Sequence, residues 1–78
     1  MNNNNIIQSV IFKKSAYTIP DAISWLNNHH MKTIKIDITS NFYRCRQVKP
    51  LDLKNLGFTH YITKKIDDGD IELIIAYK

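Results

Sequence analysis

The chain has 78 residues, a net charge of +4 and a pI near 9.3. That length allows one domain, near the size at which a single core becomes marginal, and a hydrophobic fraction of 44% excludes wholesale disorder. The longest apolar run, residues 73–77, is far below membrane-spanning length, and a lone cysteine excludes an intramolecular disulfide and fits a reducing compartment.

The segment MNNNNIIQ has neither a basic n-region nor a long apolar stretch, so it does not read as a signal peptide. Residues 1–5 read as a disordered Asn-rich tail, and residues 6–78 as a single domain. IIQSVIF, residues 6–12, is β-branched and aromatic, the composition of a strand. YTIPDAISWLNNHH then predicts the one helix. Thr18 is placed to cap it, with Asp21 three residues on and Pro20 harmless in the first turn. Ile19, Ala22, Ile23 and Leu26 form an apolar face, bordered by Trp25. No glycine stops the helix, so one of Asn28, His29 or His30 is expected at positive φ.

TIKIDIT, residues 33–39, alternates, with Ile34, Ile36 and Ile38 on one side and Lys35, Asp37 and Thr39 on the other. Ser40 and Asn41 turn the chain, and FYRCRQV, residues 42–48, returns as the second arm of an antiparallel hairpin. PLDLKNLG reads as an irregular loop or one helical turn closed by Gly57. FTHYITKKI, residues 58–66, is a further strand, and Asp68-Gly69 is a strong hairpin signal before the last strand, residues 71–77. The expected fold is α+β: a single helix packed on one face of an antiparallel sheet, in the order β-α-β-β-β-β.

Charge is spread unevenly. Residues 1–66 carry ten basic and three acidic side chains; residues 67–78 carry four acids and one base. A basic field of this kind draws phosphates or acidic protein surfaces. Ile, Lys and Asn fill 30 of 78 positions, a bias typical of an A+T-rich genome. Against nine lysines there are only two arginines, and both lie in NFYRCRQ, residues 41–47. On a strand Arg44 and Arg46 share one face, while Tyr43, Cys45 and Gln47 share the other. With Cys45 packed under the helix, the arginines project from the helix-free face roughly 7 Å apart, a spacing suited to neighbouring phosphates or carboxylates. Lys64 can join them if its strand is a neighbour, Lys49 follows the strand, and Phe42 and Tyr61 can stack on bases. The plainer alternative pairs the arginines across strands with Asp37 or Glu72, where they only solubilise the sheet.

The histidines and Cys45 show no metal-ligand spacing, the aspartates of the DDGD turn lack a calcium-loop pattern, and no acid, base and nucleophile converge in the sequence. No catalytic residue, metal or cofactor is therefore expected.

SVIF (9–12), AISWL (22–26), then Lys35, Ile36, Asp37, Thr39 and Asn41, then YRCRQ (43–47) and YITKKI with its glycine turn (61–69) form a series. It resembles a family of small domains of tailed phages, some near or fused to prohead-protease-type proteins, and of large DNA viruses of eukaryotes. The most specific piece is N-F/Y-x-R-x-R-Q. His30 stands where that family tends to have glycine, which favours positive φ there; Cys45 stands for its phenylalanine, and Ile62 for its arginine. The resemblance implies a stand-alone viral domain, in the host cytoplasm or nucleus or in the virion, and transfers no catalytic role. Two functions are expected. One is a non-enzymatic module that contacts nucleic-acid phosphates through the Arg/Lys-bearing sheet face. The alternative is a protein-interaction or virion-assembly module using the same arginines, or an exposed strand edge that can also pair two copies.

Overall fold

The computed structural model describes residues 5–78. The expected tail, residues 1–5, falls outside the described residues except for Asn5, which opens the first strand. In chain order the elements are β1 (Asn5–Lys13), α1 (Ile19–Asn28), β2 (Ile36–Ile38), β3 (Phe42–Arg46), α2 (Pro50–Asn55), β4 (His60–Ile66), a 3₁₀ turn (Asp67–Gly69) and β5 (Ile71–Tyr77). The strands form one antiparallel sheet in the order β2-β3-β1-β5-β4. Among the described residues no helix is long and apolar enough to cross a membrane.

Helix α1 starts where the sequence signals it. Thr18 Oγ1 accepts from the Asp21 amide, and the Asp21 carboxylate accepts from the Thr18 amide, each at 3.2 Å. These two bonds satisfy orphan donors at the helix start. The helix ends at Asn28 with His29 as its C-cap, and His30 follows with φ of 57°, the left-handed residue that lets the chain turn back. Ala22 and Leu26 are buried against Val10, Phe12, Cys45 and Ile71. Complete burial of a side chain such as Leu26 contributes roughly 1.5–3 kcal/mol. Trp25 borders this core, edge-on to Phe12 and stacked on His29.

The register sorts the two faces of the sheet, because directly opposed residues of antiparallel strands point the same way. Ile36, Cys45, Val10, Leu73 and Lys64 make one row across the five strands. It lies on the side covered by α1. The adjacent row, Asp37, Arg44, Ile11, Glu72 and Lys65, lies on the opposite side.

The sequence reading left that opposite side free of helix, but a second helix covers part of it. PLDLKN forms α2, closed by Gly57 at φ of 91°, which realises the helical-turn option for this segment. Leu53 of α2 and Phe58 are buried on Ala76, beside Ile6 and Val48. The far end of this face is apolar at Ile6 and Ala76 and needs a cover, and α2 supplies it. Phe58 therefore packs as a core residue before β4 begins, instead of opening the strand. The expected strand 33–39 is also shorter, because only Ile36–Ile38 pairs with β3. Ile36 packs on the core, whereas Ile34 is 91% exposed.

Candidate functional site

The segment NFYRCRQ supplies β3, next to the central strand. Its alternation is as expected. Tyr43 and Cys45 turn to the α1 side and join that core. Burial, with a smaller contribution from the charge of Asp37, pushes the Cys45 thiol up to about 11. It is a buried packing group, neutral at neutral pH. Phe42, Arg44 and Arg46 turn to the other side.

Beyond this point the two arginines part. Arg44 stands directly across from Asp37 on β2, with Ile11 and then Glu72 in line on its other side, and Lys65 beyond. Its row alternates in charge, and its guanidinium also reaches Gln8 Oε1 at 3.5 Å. Here the cross-strand arrangement with Asp37 is realised in the register.

Arg46 meets a different neighbour. Its amide donates to the Lys35 carbonyl at 3.0 Å, one step beyond the pair Ile36–Cys45. The last rung of the hairpin thus sets a lysine opposite an arginine. Like charges directly opposite each other destabilise a sheet. Two further bases close in, and a cleft of about 440 Å³ is lined by Lys32, Lys35, Arg46 and Lys49, with Gln47 and the single carboxylate of Asp52. Ile34 and Val48 complete the lining.

Two glutamines hold these cations in place. The Gln47 side-chain amide pairs with the backbone of Lys32: Lys32 N–H donates to Oε1 at 2.7 Å, and Nε2 donates to the Lys32 carbonyl at 2.9 Å. A side chain thereby replaces the next rung of the β2–β3 ladder, which is why the strand stops at Ile36 while residues 32–35 stay beside β3. Gln8 sits where the β1–β5 register slips between Ile7 and Ser9. Its carbonyl accepts from the amides of Gln47 and Val48, and its Nε2 donates to the Val48 carbonyl at 3.0 Å. This buried glutamine ties the exit of β3 to the central strand, and with it Arg46 and the approach to Lys49, the residue preceding α2.

Of the residues expected to form one binding face, Arg46 and Lys49 come together. Arg44 and Phe42 share the sheet face but stand further along β3, Phe42 opposite Lys13. Tyr61, opposite Ala76, shares that sheet face at the far edge and lines a second cleft with Pro50, Leu51, Lys54, Phe58 and Thr59. Lys64 does not join the arginines. It is opposite Leu73, on the α1 side, and β1 and β5 separate its strand from β3; Lys65 is the lysine that points to the arginine face. Sequence reasoning missed Lys32, Lys35 and Gln47. The two-residue turn at Ser40 and Asn41 carried the signal, because a hairpin closed there puts Lys35 opposite Arg46.

A groove between α1 and the 3₁₀ turn before β5 is acidic. Tyr17 donates to Asp67 in this groove, which is also lined by Asp21, Asp70 and Trp25. That hydrogen bond, with partial burial and the surrounding carboxylates, raises the tyrosine to about 12. Among the described residues no group of three or more His, Cys, Asp or Glu side chains is placed to hold a metal ion.

Compared with protein-family models, with curated proteins and with solved structures, the chain matches none.

Proposed function

We propose that this chain is a small, basic, non-enzymatic binding module that holds nucleic-acid phosphates in the cleft around Arg46. The observation that carries the reading is the like-charge rung Lys35–Arg46, with Lys32 and Lys49 beside it and only Asp52 against them. A bound phosphate relieves the repulsion between these cations, and Arg46 can meet it through two parallel N–H donors. The cleft's side chains are suited to holding an anion; four of them are cations. In keeping with the viral resemblance, the module would act inside an infected cell or within a particle.

The test is binding of labelled single- and double-stranded DNA and RNA across a salt series, wild type beside Arg46→Ala/Lys49→Ala. Each cation that contacts a single strand adds about 0.7 to the steepness of log K against log salt. The double variant should bind more weakly and lose about 1.4 of that slope. Equal binding by the two proteins, or no binding by wild type at low salt, would defeat the proposal.

The second reading, a protein-interaction or assembly module, is favoured by one observation. β4 is a seven-residue edge strand whose residues are exposed from His60 to Lys65. Its unpaired outer side could accept another strand, from a partner or a second copy. It predicts a discrete oligomer or complex with a shallow salt dependence.

A further inference from the structure

The cleft around Arg46 has a neighbour of different chemistry. On the far side of α2 lies a second cleft, about 460 Å³, lined by Pro50, Leu51, Lys54, Phe58, Thr59 and Tyr61. The helix is the partition. Asp52 faces the basic cleft, as does Lys49 just before the helix, while Pro50, Leu51 and Lys54 face the second one. Tyr61 is 45% exposed although it is aromatic, and Leu51 beside it is 66% exposed. Both clefts border α2.

We infer that the module takes single-stranded nucleic acid, with phosphates on Lys35 and Arg46 and one unstacked base against Tyr61 in the second cleft. The inference rests on the phosphate reading above and goes on to specify the ligand. Three arguments support it. A helix is about 10–12 Å across with its side chains, so a mononucleotide on one side cannot fill both clefts, whereas a strand laid over α2 can. A duplex keeps the flat faces of its bases stacked inside and offers phosphates, sugars and base edges, so an aromatic platform finds no base face to stack on. An unpaired base brings a flat apolar face, and an exposed tyrosine beside a proline and a leucine is a platform for it. Lys54, on the second cleft's own wall, continues the cationic path for the backbone.

Fluorescence anisotropy decides the matter. The probes are labelled single strands of about 12 nucleotides, DNA and RNA, the duplex of the same sequence, and an abasic oligonucleotide with the same phosphates. The proteins are wild type, Tyr61→Ala, Tyr61→Phe and Arg46→Ala/Lys49→Ala, each checked for its fold by circular dichroism. Wild type should prefer the base-bearing single strand over the abasic one. Tyr61→Ala should lose about tenfold in affinity for that strand and nothing for the abasic oligonucleotide or the duplex, while Tyr61→Phe keeps wild-type binding. If Tyr61→Ala binds like wild type while the double variant is weak, the base site is wrong and the phosphate cleft stands. Equal affinity for base-bearing and abasic strands overturns the base site in the same way. Failure of wild type to hold any of these probes at low salt overturns both.

Discussion

Arg44 and Arg46 leave one strand on one face, two residues apart, and meet opposite surroundings. Arg44 enters a row that alternates in sign from Asp37 to Lys65 across the sheet. Arg46 enters a rung where the opposing residue is Lys35, in a cleft with two more lysines. The first environment sets carboxylates in line with a cation. The second gathers four cations around one carboxylate, Asp52, the arrangement on which the proposed phosphate site rests. The difference arises from a step of two residues along a hairpin and from one side-chain clamp, with no change of residue type.

The largest expected effect comes from breaking the element that belongs to only one of the two regions. Leu53→Ala removes the anchor by which α2 holds the sheet, and a buried leucine truncated in this way costs about 2–5 kcal/mol. A domain of this size has roughly 4–12 kcal/mol in all. Urea denaturation should show a large loss of stability. Oligonucleotide binding should fall with it, because Lys49 loses its position, although the row through Arg44 contains no residue of α2.

A smaller change sharpens the contrast. Gln47→Ala deletes both hydrogen bonds to the Lys32 backbone. At about 0.5–1.5 kcal/mol for each bond, stability should fall by roughly 1–3 kcal/mol. Residues 32–35 would be freed from β3, so oligonucleotide affinity should drop several-fold with all the cations still present. A Gln47→Ala protein that binds as wild type does would mean that the clamp serves the fold alone.

Much of the fold can be read from local signals. The capping box at Thr18 and Asp21, the apolar face of α1, the positive φ at His30 and the glycine-marked turn before β5 all depend on a few adjacent residues. Cys45 as a core residue follows from alternation along one strand. The strand order is different in kind. β1 pairs with β3 and β5, partners distant in sequence, and no local pattern states which of them flank it. Alternation also misled at Ile34. The ladder it assumes gives way where the Gln47 side chain takes over the pairing, and so the isoleucine faces solvent. The candidate site was half legible. Arg46 and Lys49 were visible as cations near each other, whereas Lys35 was read only as the polar side of its strand and Lys32, before that strand, comes in through the Gln47 clamp. Lys64 was a candidate only if its strand lay next to β3, and it does not; its face depends on which residue of β5 it opposes.

The most direct test of the contrast is to compare Arg44→Ala and Arg46→Ala, one at a time, in salt titrations of a labelled single-stranded oligonucleotide. The account predicts that Arg46→Ala weakens binding and lowers the salt slope by about 0.7, while Arg44→Ala changes affinity less than about twofold and leaves the slope intact, as expected of a cation in a cross-strand row. Equal losses from the two variants, or a larger loss from Arg44→Ala, would contradict it, because the arginines would then act as one site on the open sheet and the cleft would have no separate role.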